Sequence, residues 1–139
     1  MDDRHQERIA PVAANPNMKN YEETYATFSF EEAEKVFSWH ETGRVNMAYE
    51  AIDRHVESGR GEKIALLYSD ASRDESYTFA DLSRQSNKFA NVLRKLGVGK
   101  GDRVFIFMPR TPELYFSLLG VLKVGAIAGP LFEAFMETA

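Results

Sequence analysis

Few residues of this 139-residue chain stand in a pattern that could do chemistry. The run Gly97-Val98-Gly99-Lys100-Gly101 invites a phosphate-cradling reading, because glycine lets backbone N–H groups approach phosphate oxygens. Its spacing argues otherwise. A phosphate loop needs Gly, four residues, then Gly-Lys-Ser/Thr. Arg94 occupies the place of the first glycine, and Lys100 is followed by Gly101. The run also leads from a helix into a strand, the reverse of a phosphate loop, so it reads as a helix stop and turn. His40 and His55 are too far apart for a local metal pair, His5 lies near the N-terminus, and no Cys/His/carboxylate spacing matches a metal site. Asp53-Arg54-His55 is a charged cluster at a helix end. Service to the helix dipole and its neighbours outweighs an acid–base role there. No Gly-x-Ser-x-Gly is present, so no nucleophile elbow is read. The remaining candidates are Arg110, Phe132, Glu133 and Phe135. They follow two apolar runs, where a parallel sheet gathers its ligands. Packing for the two Phe, and a turn charge or ion pair for Arg110, are the competing roles.

The elements that must position these residues are legible in the stretch Gly97–Phe135. Val104–Met108 is an unbroken apolar run, and Ala126–Leu131 is another. Between them Thr111-Pro112-Glu113 opens a helix, with Thr as cap and Pro at the first helical position. That helix is apolar nearly all round, from Leu114 to Val124, which requires cover on more than one side. Strand, helix, strand implies a parallel pair with a crossover, in a sheet covered on both faces. The fold class is therefore α/β, a parallel βαβ unit.

Upstream, Met1–Asn20 is polar and reads as a flexible arm. Tyr21, Tyr25, Phe28, Phe30, Phe37 and Trp39 stand among many Glu, with a short helix expected over Phe30–Phe37 behind Ser29 as cap. Their aromatic side is expected to pack on its own domain, in preference to a partner. Val45–Val56 has helical spacing, with Asn46 as cap and Ser58-Gly59-Arg60-Gly61 as its end. Lys63–Ser69 and Ser76–Phe79 read as a β-hairpin around the polar turn Asp70–Glu75. Thr78-Phe79-Ala80-Asp81 is a capping-box pattern with Asp in place of Glu. The helix it starts shows Phe79, Leu82, Phe89, Ala90, Leu93 and Leu96 on one face and Ser83, Asn87 and Lys95 on the wet face, ending at Gly97.

Composition bounds the function. With 44% hydrophobic and 27% charged residues the chain can form a core in water. A net charge of −4 argues against nucleic-acid binding by field alone. The absence of cysteine excludes disulfides and thiolate chemistry and fits a cytoplasmic setting. Lys123 and glycines break the longest apolar stretch, so a membrane span is not expected. Too little chain follows the last strand to cover the apolar helix and sheet edge, so the sequence reads as the opening of a longer protein.

These residues resemble a family. From Tyr77 to Phe135 the chain looks like the early N-terminal segment of adenylate-forming acyl-CoA synthetases. The resemblance is carried by Tyr77-Thr78-Phe79 at a helix start, Leu96-Gly97-Val98, then Lys100-Gly101-Asp102-Arg103-Val104. Met108-Pro109, Pro112-Glu113 and Gly125-Ala126 complete it. Further upstream, Phe37-Ser38-Trp39, Gly43, Asn46 and Asp53-Arg54-His55 are similar to the leader of acetyl-CoA synthetases, the acetate–CoA ligases of that superfamily.

The resemblance implies an incomplete N-terminal part of an adenylate-forming enzyme large domain. Its βαβ unit is preceded by a β-hairpin and a helical leader. The implied divisions are an arm over 1–20, a leader over 21–61 and the start of an AMP-dependent ligase domain over 62–139. It implies a two-step ligation using acetate, ATP, Mg²⁺ and coenzyme A, with no nucleic-acid or membrane partner. The family's Ser/Thr/Gly-rich phosphate loop, ribose-binding Asp, hinge and C-terminal lysine have no counterpart here, so the ATP and Mg²⁺ sites are expected elsewhere and no catalytic residue is assigned. In acetyl-CoA synthetases the strand after Gly-Ala continues Val-Phe-Gly-Gly-Phe and helps seat the adenine end of coenzyme A. The matching stretch is Leu131-Phe132-Glu133-Ala134-Phe135. Phe132 keeps the aromatic face, while Glu133 and Ala134 replace glycines. Phe132, Glu133 and Ala134 are thus the implied cofactor-binding residues. A ligase for another short or medium-chain acid, and a non-catalytic module docking through its aromatic leader, are the alternatives.

Overall fold

The protein's structure, a computed structural model, describes residues 20–131. Two compact units divide between Glu41 and Thr42. The first holds short helices, α1 (Tyr21–Thr27), α2 (Phe30–Glu34) and the start of α3 (Trp39–Thr42). Asn20 caps α1 by accepting from the backbone N–H of Glu22 and Glu23, and Ser29 caps α2 by accepting from that of Glu32. The helix expected over Phe30–Phe37 stops at Glu34. Val36 and Phe37 instead donate to carbonyls three residues back, which tightens the chain into a turn. The rings pair locally: Tyr21 on Tyr25, Phe28 edge-on to Phe30, and Phe37 stacked on Trp39 with centroids 4.1 Å apart. Tyr25 and Phe30 stay exposed, whereas Phe37 and Trp39 are half-buried.

The second unit begins with a helix over residues 47–60, which widens to i→i+5 bonding at Tyr49–Asp53 and Val56–Arg60. Asn46 caps it as expected, accepting from the N–H groups of Ala48 and Tyr49. Val45, placed on its apolar face by spacing, precedes the cap and is exposed, while Ala48 and Ile52 are buried. Then β1 (Ile64–Ser69) and β2 (Asp74–Thr78) pair antiparallel, with Ser69 opposite Asp74. The hairpin is tighter than its sequence suggests, because the Asp70 carboxylate closes the turn. It accepts from the N–H groups of Ser72 and Arg73, while Asp70 N–H donates to the Arg73 carbonyl.

Helix α4 (Phe79–Lys95) starts with the expected capping box. Thr78 Oγ1 accepts from Asp81 N–H, and the Asp81 carboxylate accepts from Thr78 N–H. It ends where Gly97 takes φ 82°. Val98 N–H donates to the Leu93 carbonyl and Gly97 N–H to that of Arg94, so the chain reverses and Val98 packs on the core beside Leu93. Leu96, expected on the apolar face, lies beyond the last turn and is exposed.

Strands β3 (Arg103–Ile106) and β4 (Ile127–Pro130) pair in parallel across α5 (Pro112–Lys123), in register Arg103↔Ile127 to Ile106↔Pro130. The βαβ unit is the one expected, with a first strand shorter by Phe107 and Met108. Alternation turns Val104, Ile106 and Ala128 toward the helices, where they meet Leu93, Val121 and Ala126. Helices α4 and α5 approach closely at Gly120. A Cβ there would lie 2.8 Å from a Phe89 ring carbon and 2.9 Å from the Ser86 carbonyl oxygen. Ser86, unremarked in the sequence, is fully buried at this crossing and donates to the Leu82 carbonyl.

Candidate functional site

The carboxyl end of the parallel pair is built by the segment after β3 and by the exit from β4. Leu131 N–H donates to the Ile106 carbonyl at 2.8 Å, so pairing persists to the last described residue. The chain therefore enters residues 132–134 from this end. Phe132, Glu133, Ala134 and Phe135 lie outside the described residues. Arg110 is in the loop between β3 and α5 and is exposed.

The start of α5 is already provided with negative charge. Thr111 takes the cap position in extended geometry, but its side chain makes no cap bond. Its hydroxyl instead bonds the Glu113 carboxylate. That contact, with the residue's own N–H and the charge of Arg73, holds Glu113 below the usual carboxylate range. A carboxylate fixed in the first turn satisfies the helix dipole internally, which disfavours a phosphate there. Beside it, Tyr77 packs edge-on against Phe116 and donates to Glu75 at 2.7 Å. Bonding to that carboxylate pushes the phenol up to about 12.

A second constellation was not foreseen. The Lys123 ammonium, with its side chain only 7% exposed, donates to Asp53 Oδ1 at 2.7 Å and to Asn87 Oδ1 at 2.8 Å. Ser83 Oγ donates to the same Asp53 oxygen at 2.6 Å. Three helices are thus tied at one point: residues 47–60, α4 and α5. Ser83 and Asn87, assigned to the wet face, are partners in this tie. The available signal was Lys123 itself, a single cation closing an otherwise apolar helix. Asp53 and His55 are not brought together as an acid–base pair. Asp53 turns to Lys123, whereas the His55 ring lies on Phe79 with centroids 4.7 Å apart. Burial, then Arg60, Arg54 and Lys63, hold His55 below its ordinary value.

At the amino ends of the strands, Arg44, Lys100 and Lys123 with Gly125 line an open cleft of about 650 Å³. Lys100 sits in the turn before β3, as its spacing implied, with its stem against Gly125. Among the described residues no group of three or more His, Cys, Asp or Glu side chains is arranged to hold a metal ion. No helix among them is long and apolar enough to cross a membrane.

Comparison with known proteins supplies what this geometry does not. The family model described as "AMP-binding enzyme" matches residues 52–139. The chain is 66% identical over 132 residues to an acetyl-coenzyme A synthetase of Bacillus subtilis (strain 168), covering 94% of this chain and 23% of that protein. It is 40% identical over 102 residues to the acetyl-coenzyme A synthetase of Streptomyces coelicolor, covering 73% and 16% of the two chains. It is 38% identical over 100 residues to the mitochondrial acyl-CoA synthetase short-chain family member 3 of Pongo abelii, covering 70% and 15%. Among solved structures, a Brucella canis acyl-CoA synthetase superposes with a TM-score of 0.70 at 32% identity, covering 85% of this chain and 21% of that one. The chain spans less than a quarter of the length of the curated relatives it matches.

Proposed function

The chain belongs to the AMP-binding enzyme family, and from that membership we propose that it is part of an AMP-forming acetate–CoA ligase. The observation that carries the acetate reading is the identity with the Bacillus subtilis protein, which extends through nearly the whole chain. In the proposed reaction, acetate attacks the α-phosphate of ATP to give acetyl-adenylate and pyrophosphate. The coenzyme A thiolate then attacks the acetyl carbonyl carbon and AMP leaves. The reaction belongs in the cytoplasm.

The described residues act as scaffold in this scheme; none is assigned to bond making. Residues 132–134 follow β4 in the sequence, and β4 ends at the carboxyl end of the parallel pair, where ligands of open α/β folds gather. There the Phe132 ring stacks on the adenine of coenzyme A, flanked by Glu133 and Ala134. A carboxylate at Glu133 is compatible with the coenzyme's phosphates only if it points away from them, since like charges within a few ångströms repel. Mg²⁺, which the resemblance implies, finds no ligand set among the described residues.

A ligase for another short-chain acid is the second reading, favoured by the match to short-chain family member 3. Exchange of labelled pyrophosphate into ATP by the full-length protein separates the two. Acetate-dependent exchange well above that with longer short-chain acids is expected. Dependence on another acid selects the second reading, and no exchange with any short acid removes both. In the same protein Phe132→Ala is expected to raise the KM for coenzyme A while leaving exchange nearly intact. Equal loss in both half-reactions would make Phe132 a packing residue.

A further inference from the structure

The tie at Lys123 accounts for one end of the contact between the helix over 47–60 and α4; His55 occupies the other. Its ring lies against Phe79, the first residue of α4. Its Nδ1 is sealed from solvent and has no hydrogen-bond partner. The charged groups that face it are Arg54, Arg60 and Glu50 from its own helix, and Lys63 from the segment entering β1. Three of these four are cations. The α4 side offers the Phe79 ring.

We propose that His55 is an acid-sensitive latch, which holds the helix over 47–60 against the start of α4 while its imidazole is neutral and releases it on protonation. A neutral ring leaves a lone pair on the sealed Nδ1, a modest cost. Protonation puts a charge on a ring whose sealed Nδ1 has no hydrogen-bond partner, beside Arg54, Arg60 and Lys63, whose repulsion the lone Glu50 carboxylate offsets only in part. The charged ring gains water and separation from those cations by leaving Phe79. The cost falls on the folded state, so the latch contributes fully above the ordinary histidine value of 6.5. Its contribution is lost as pH falls from there through the lower folded value. The tie at Lys123 holds the helix over 47–60 to α4 by separate bonds, so release is local, at the Phe79 end.

The experiment is a ring ¹H–¹³C titration of the chain from about pH 7.5 to about pH 5, the range in which histidines change charge. With only three histidines, His5→Gln and His40→Gln assign the His55 signal by elimination. The latch predicts that His55 titrates below 6.5, and that its contact with Phe79 fades along the same curve. Titration at or above 6.5, or a contact that persists in the protonated ring, overturns it. Thermal unfolding gives a second readout. The wild-type melting temperature falls by a few degrees more over this range than that of His55→Phe, and equal falls contradict the proposal. Should His55→Phe fail to fold, the wild-type titration still decides.

Discussion

The two faces of the β3–β4 pair differ sharply. On one, α4 and α5 seal Val121 and Ala126, and the Asp53–Lys123 tie locks a third helix to both. On the other, Phe105 is 68% exposed and Ile127 53% exposed, with Phe107 and Leu131 also open to solvent. The same short strands make both faces, because successive side chains alternate across a sheet. An unbroken apolar run therefore states what a sheet requires on both sides, while the described residues supply only one layer. The packed face is also where the polar groups of the Asp53–Lys123 tie are engaged.

The comparison breaks or sharpens under substitution. The largest expected effect is at the tie. Lys123→Ala leaves the Asp53 carboxylate without its cation and is expected to cost about 3 kcal/mol in urea unfolding. A double-mutant cycle with Asp53→Ala should show strong coupling; additive losses would mean that the tie is incidental. Next is Gly120→Ala, whose added methyl meets Phe89 and the Ser86 backbone and should cost about 2 kcal/mol. A neutral outcome would place α4 and α5 farther apart. Thr78→Ala removes half of the capping box and should cost about 1 kcal/mol, read as a lower unfolding midpoint. The smallest effect belongs to the bare face, where Phe105→Thr should stay within about 0.5 kcal/mol of wild type. A loss at Phe105 as large as that at Lys123 would show that this face is packed in solution.

Local signals in the sequence carried much of this architecture. The capping box at Thr78, the Asn46 cap, the stop at Gly97 and the strand–helix–strand order around Pro112 were all legible, because each depends on neighbours a few residues away. The tie at Lys123 was not. It joins residues separated by 30 and 70 positions, and a polar residue on a helix looks solvated until its distant partner is known. Ser83, half-buried in the tie, reads as solvated for that reason, whereas Asn87 is exposed as its spacing implies and still joins the tie. Leu96 was misplaced because the reversal after Lys95 delivers Val98 to the core in its stead. Of the candidate site, the scaffold was readable from pattern and the cofactor role only from resemblance, since an aromatic at a strand end has the same spacing whether it stacks on a ligand or on its own core.

Everything assigned to the carboxyl end rests on β3 and β4 running in the same direction. Scalar couplings transmitted through hydrogen bonds test this directly. Couplings are predicted from Ile127 N–H to the Asp102 carbonyl and from Leu131 N–H to the Ile106 carbonyl, the bonds of 2.7 and 2.8 Å that frame the parallel ladder. Their absence, or couplings in an antiparallel register, would contradict the βαβ unit and the site placed upon it.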